Sequence, residues 1–241
     1  KSIDDLENIV VTTGANGTTG VMAVKNAPAD GHTLLLASWT TLSVNPLGMK
    51  DLPYDPVKDL KPVSGLMRSQ IAIAVPSNSK IQNLEDFVAA AKNLGRPLNI
   101  GTHATGFHII LEWLNSVAGI KPVHVPYKNA GQMNIDVVGN QIDGAMDGTA
   151  SLGQMFRSGK IRLLAVSGER RDAAFPDVRT FREAGYPEFV AYAWGSLFVR
   201  AETPDELVQK LAEGMQRVLS SNAARDFVAK IGSELMVLGP A

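Results

Sequence analysis

Apolar positions change period several times along the chain, and each change marks an element. From Phe107 onward, Phe107, Ile110, Leu111, Leu114 and the pair Val117/Ala118 recur three and four apart. That spacing predicts an amphipathic helix. Residues 98–100 before it read as the end of a strand. Between the two, Gly101, Thr102, His103, Ala104, Thr105 and Gly106 form a short polar turn. Residues 123–127 and 142–146 predict two further strands. The first runs into Lys128, the second into Asp147, Gly148 and Thr149. If the three strands are parallel, these polar ends share one sheet edge. Open α/β sheets bind ligands outside the carboxyl ends of their strands.

The rest of the chain alternates in the same way. Residues 1–7 read as the tail of a helix and 9–13 as a buried strand. A loop at 14–20, a helix at 21–27 and a second buried strand at 33–38 complete one βαβ unit. Its strands are too apolar for a one-sided sheet. Residues 53–62 look irregular. Strands are expected at 63–67 and 71–75, and a helix at 84–93 with Asn83 as its N-cap. Further on come a helix at 152–156, a strand at 161–166, a short helix at 180–184 and a strand at 190–199. Helices at 204–219 and 223–231 and a strand at 235–238 close the chain.

This order predicts an α/β protein with a two-lobed fold. Each lobe should be a mostly parallel sheet flanked by helices. Residues 1–75 plus 200–241 would form the first lobe and 76–199 the second. Two crossing strands, near 71–76 and 194–200, would join them, an arrangement that suits hinge closure on a ligand.

Composition removes several function classes. The 241 residues carry a formal net charge of -1, so nothing draws the chain to nucleic acid or an anionic membrane surface. No apolar run approaches the roughly 20 residues of a membrane helix, so no membrane insertion is expected. Cysteine is absent, which excludes disulfides, thiolate metal sites and cysteine nucleophiles.

The turn before Phe107 is the strongest chemical feature. A helix N-terminus presents unpaired N–H groups, and Thr102, His103 and Thr105 add side-chain donors. That suits a carboxylate or phosphate. A plain capped helix without ligand fits the same residues. Asp147 on the neighbouring strand end could accept an ammonium group. Ser38, Thr40 and Asn45 follow the second strand and could face a crevice of the same kind, although such residues also simply form turns. The loop GANGTTG at 14–20 resembles a nucleotide-binding turn only superficially. Its glycines are evenly spaced by three, and the second strand ends in Ser38 where a ribose-binding acid would stand. No cofactor motif is present. There is no nucleophile elbow, and His103 and His108 are five apart, the wrong spacing for one metal-binding helix face. His108 reads as a helix residue bonded locally. Asp143 and Asp147 flank one strand and need not form an acid pair. An α/β enzyme using His108 or His103 as general base with Asp147 is the alternative to binding.

One resemblance covers nearly the whole chain. The run GTHATGFHIILEWLNSVAGIKPVHVPYKNAGQMNIDVVGNQIDGAMDG resembles the second-domain core of the tripartite tricarboxylate receptor family, also called Bug receptors. NAPADGHTLLLAS, LPYDPVKDLKPVS, SGKIRLLAVSGERR, FPDVRTFREAGYP and WGSLFVRAETP resemble other family stretches in the same order. The resemblance implies a periplasmic-binding-protein-like fold and a periplasmic solute-binding receptor for a small carboxylic acid, working with a separate membrane permease. It implies ligand contacts from Ser38, Thr40 and Asn45 in one lobe. In the other it implies contacts from Thr102, His103, Ala104, Thr105, Gly106, Lys128, Asp147 and Thr149. Similar receptors begin with an extra strand, a loop and a long helix, of which residues 1–7 resemble only the end. The expectation is therefore a fragment, a weak carboxylate clamp or a degenerate family member serving as a protein-interaction module.

Overall fold

The computed structural model describes residues 8–10, 17–93 and 95–240, the first three as backbone only. The predicted helix tail at 1–7 and positions 11–16 of the predicted strand and glycine loop lie outside the described residues. The chain divides into two compact units. Unit 1 comprises Lys1–Arg68, Trp194–Lys230 and Glu234–Ala241, and unit 2 comprises Ser69–Ala193 and Ile231–Ser233.

In unit 1, β1 (Asn8–Val10) runs parallel to β2 (Thr33–Ser38). β2 pairs antiparallel with β8 (Tyr192–Arg200), Leu35 facing Phe198 in register. Strand periodicity then sorts the side chains between two faces. Leu35 and Ala37 pack with Val21 and Val24 of α1 (Thr18–Lys25). Leu34 packs with Val208, Leu211 and Ala212 of α8 (Asp205–Leu219). Both faces of β2 are thus covered, which is why the strand reads as a continuous apolar run. The polar stretch after β2 is not an open loop. It winds into a π-helical turn, Thr40–Val44, followed by α2 (Asn45–Gly48). The stretch expected to be irregular contains a single helical turn, α3 (Pro56–Asp59), capped by the Asp55 side chain.

The two strands expected at 63–67 and 71–75 are one strand of 17 residues, β3 (Leu60–Pro76). Its Met67 and Arg68 pair antiparallel with β9 (Glu234–Leu235). From Ile71 onward it pairs antiparallel with β6 (Gly144–Gly148) and β7 (Ile161–Val166). The polar residues Arg68, Ser69 and Gln70 interrupt the apolar pattern but not the strand, which changes partners between Arg68 and Ile71.

Unit 2 is built on that second half of β3. β4 (Asn99–Thr102) lies between β6 and β5 (Val123–Pro126) and runs parallel to both. The three strands expected to point one way do so, within a mixed sheet of order β7-β3-β6-β4-β5. Helices cover it. α5 (Thr105–Ala118) buries Phe107, Ile110, Leu111, Leu114 and Ala118, while Val117 stays 46% exposed. Gly119, at φ 62°, closes α5 in the left-handed conformation that glycine adopts without strain. Met133 and Val137 of α6 (Ala130–Val138) and Leu152 of α7 (Thr149–Arg157) share a core with Ala72, Ala74 and Ala145 of the sheet. α4 (Leu84–Asn93) is capped by Asn83, whose Oδ1 accepts from the Asp86 N–H at 2.7 Å.

The helix expected at 180–184 is a run of turns. Thr180 and Glu183 make reciprocal side-chain bonds to each other's backbone N–H, at 2.8 and 3.0 Å, as in the start of a helix. Gly185, at φ 96°, stops the turn at once, and Pro187 follows. α9 (Asn222–Lys230) ends the helical content.

Candidate functional site

Parallel pairing sets the site in unit 2. β4 has β6 on one side and β5 on the other, so the segments leaving the three strands emerge side by side. The turn at 103–104 leads from β4 into α5, Asp147 to Thr149 lead from β6 into α7, and Lys128 follows β5. Neither α5 nor α7 has a side-chain cap. Their N-cap residues are Ala104 and Gly148. The first-turn N–H groups of two helices, each with a positive dipole end, therefore meet at one sheet edge.

One ion pair bridges the two turns. His103 Nδ1 lies 3.3 Å from Asp147 Oδ2. The separation is that of an ion pair, but the alignment is short of a hydrogen bond, and neither atom has another partner. Asp147 is 1% exposed, and its Oδ1 accepts from the Gly148 N–H at 2.7 Å. The His103 side chain retains 25% exposure, and its ring rests 5.1 Å from that of Phe107. Burial pushes the His103 imidazole down, but the adjacent Asp147 carboxylate outweighs it and holds it above the ordinary imidazole value.

The other expected residues divide. Thr105 and Gly106 open α5, with Ala104 just before them. Lys128 is exposed beside this edge. Thr102 is 2% exposed, and its Oγ1 lies 2.8 Å from His124 Nε2, so its hydroxyl serves β5. Thr149 is wholly buried and donates to Asp172 Oδ2 and the Gly232 carbonyl, both at 3.2 Å. That bond fixes α7 to the returning segment Ile231–Ser233 of unit 2.

His124 was not singled out in the sequence. Its ring stacks on His108 with centroids 3.7 Å apart, and His108 Nε2 faces Glu112 Oε1 at 3.4 Å. Burial, and then the neighbouring His108, hold His124 below the ordinary imidazole value, partly offset by Glu112. The only hint was the alternation Val-His-Val-Pro. The β4–β5 register that brings His124 to Thr102 is not readable from spacing. His108 makes the local bond expected of it. Asp143 sits at the opposite end of β6 from Asp147. It takes both terminal nitrogens of Arg96 at 2.6 Å and the Asn99 N–H at 2.8 Å.

In unit 1 the expected residues serve a buried network. Asn45 is 1% exposed and its Nδ2 donates to the Tyr54 hydroxyl at 3.0 Å, which donates to the Thr41 carbonyl at 2.6 Å. Ser38 Oγ lies 3.2 Å from Thr41 Oγ1, and Thr40 is 5% exposed. Gly17, at φ 84°, starts α1 so close to Thr41 that a Cβ there would meet its Oγ1 at 2.3 Å. Tyr54→Phe should cost unit 1 about 1–2 kcal/mol, because it removes the hydrogen bonds that the hydroxyl makes with the Thr41 carbonyl and the Asn45 amide. Urea unfolding with a probe in unit 1 checks this, and an unchanged midpoint would remove the network from the stability of the unit.

The comparisons with known proteins point one way. Residues 6–238 match the model of the tripartite tricarboxylate transporter family receptor. The chain belongs to this family. A UPF0065 protein of Bordetella bronchiseptica is 36% identical over 221 residues, covering 92% of this chain and 66% of the relative. The chain thus spans about two thirds of that relative's length. MatC of Rhodopseudomonas palustris, solved with bound malate, shares 28% identity at a TM-score of 0.83, over 91% of this chain and 76% of its own. A second R. palustris protein, solved with adipate, shares 25% identity at a TM-score of 0.89, over 95% and 77%. Membership of the tripartite tricarboxylate receptor family sets aside the α/β enzyme reading, since the family is one of transporter receptors.

Proposed function

We propose that this chain is a periplasmic solute-binding receptor that captures a small carboxylic acid and delivers it to a membrane permease. The observation that carries the reading is the edge of unit 2. Two helix N-termini without side-chain caps flank a histidine paired with a buried aspartate. A carboxylate there gains oriented N–H donors, the positive ends of two helices and an imidazole donor. Malate and adipate in the similar proteins are both dicarboxylates, which makes this the first ligand class to test. Ala104, Thr105, Gly106, His103 and Lys128 form the site on unit 2. Asp147 and Thr102 hold that edge in shape, and Thr149 anchors α7.

The test is a thermal-shift and calorimetry screen over malate, adipate, citrate, glutamate and benzoate. A ligand at a hundredfold over its dissociation constant should add about 2.7 kcal/mol of stability. Failure of every acid to shift the transition would overturn the reading.

A further inference from the structure

Asp147 is the most buried ionisable side chain at the candidate site, and it faces His103 rather than solvent. It is 1% exposed, one oxygen is taken by the Gly148 N–H, and the other lies 3.3 Å from His103 Nδ1. A ligand ammonium would have to displace the imidazole to reach it. The sequence suggests an amino-group acceptor at this position. The geometry suggests something else. With Nδ1 turned to Asp147, the other ring nitrogen, Nε2, is bonded to none of the described residues, and the side chain keeps 25% exposure.

We propose that Asp147 is a positioning residue that keeps His103 protonated, and that the imidazolium, through Nε2–H, makes capture of the ligand carboxylate proton-linked and selects acids over amines. This rests on the carboxylate-receptor reading above and adds to it a specificity determinant and a pH dependence.

The charged surroundings of His103 are few. Asp147 faces it from the end of β6. On α5 it meets the Phe107 ring. Lys128, exposed after β5, repels a second positive charge only weakly across solvent. His124 on β5 is bonded to Thr102, and Glu112 on α5 faces His108, so neither makes a contact with His103. β3 brings the uncharged Ser69 and Gln70 beside Gly148. Among the described residues, the one carboxylate in contact with the ring is thus the buried one. A buried carboxylate favours the charged form of an adjacent imidazole, because its own charge is otherwise uncompensated.

The sign of the effect follows. The bound anion adds a second negative neighbour to His103, so the complex binds its proton more tightly than the free protein does. Affinity is then greatest below the His103 pKa of the free protein and falls above it. The slope approaches about tenfold per pH unit for one linked proton. Above the pKa of the complex the affinity becomes level again.

Two measurements test this. Proton NMR titration of the ligand-free protein should show His103 above the ordinary imidazole value, and Asp147→Asn should bring it down. Calorimetry with adipate and with malate, from about pH 5.5 to about pH 8.5 in buffers of different ionisation enthalpy, should show proton uptake on binding. Affinity should weaken at least tenfold toward the alkaline end. His103→Gln should bind more weakly at acid pH and lose the slope. His103→Lys should restore binding while leaving it level across the range. A His103 that titrates at or below the ordinary value overturns the proposal without touching the receptor reading. So does acid binding without proton uptake. If neither the acids of the screen nor these two bind at any pH, both fall together.

Discussion

Gly144→Ala should cost unit 2 at least about 1–3 kcal/mol, the range for forcing atoms into a filled core. Gly144 opens β6 opposite Ile100 of β4. A Cβ at this position would sit 2.4 Å from the Ala74 carbonyl oxygen of β3 and 3.3 Å from Ile100 Cδ1. The first clash is with backbone, which no rotamer change relieves. β6 lies between β3 and β4, so any outward shift breaks one ladder or the other. A shift would also move Asp147, three residues on, away from His103. The expected result is a lower unfolding midpoint in urea together with a smaller upward shift of the His103 titration. A variant with the wild-type midpoint and the wild-type His103 titration would show that β6 yields without cost, and that the clash is relieved elsewhere.

This residue illustrates what the sequence can and cannot carry. The order strand, turn, helix around Gly101 is legible because apolar spacing reports burial directly, and α5 buries the positions that spacing selects. Of Val117 and Ala118, the second falls on the buried face four residues after Leu114, and Val117 is left 46% exposed. Gly144 reads only as part of a glycine-rich strand, since the neighbour it accommodates lies 70 positions earlier, at Ala74. β3 reads as two strands because Arg68 to Gln70 are polar. Backbone pairing does not require apolar side chains where the strand changes partners, from β9 at Arg68 to β6 at Ile71. The turn at 180–184 reads as a helix because its local start is that of a helix, and Gly185 then ends it.

The site shows the same limit. Strand ends predict which residues gather at the edge of unit 2, but not which way they point. Thr102 and Thr149 look like ligand donors by position, yet their hydroxyls are bonded to His124, Asp172 and the Gly232 carbonyl. Asp147 looks like a ligand contact and is buried against His103. His124 acquires its role from a residue 22 positions away. Hydrogen-bond partners of this range depend on strand register, which hydrophobic pattern sets only to the nearest alternation.

Ser167→Ala should lower the stability of unit 2 by about 2–6 kcal/mol, a sum over two buried groups that lose a side-chain partner at roughly 1–3 each. Ser167 is wholly buried just past β7. Its Oγ accepts from the Ile71 N–H at 2.8 Å and donates to the Ala191 carbonyl. Its backbone N–H donates to the Ile71 carbonyl at 2.8 Å, and its carbonyl accepts from the Ala191 N–H at 3.0 Å. One hydroxyl thus closes the ladder between β3, the end of β7 and the segment entering β8. Alanine keeps the two backbone bonds and removes both side-chain bonds. Its smaller volume leaves no room problem, so the loss reads the hydrogen bonds alone. Cysteine at this position should recover part of the difference, since a thiol donates and accepts weakly. Urea denaturation of the wild type and both variants, with amide exchange at Ile71 and Ala191, provides the check. Ile71 should lose the most protection in the alanine variant. Equal midpoints for wild type and alanine would mean that water replaces the hydroxyl, and that this junction is not sealed by Ser167.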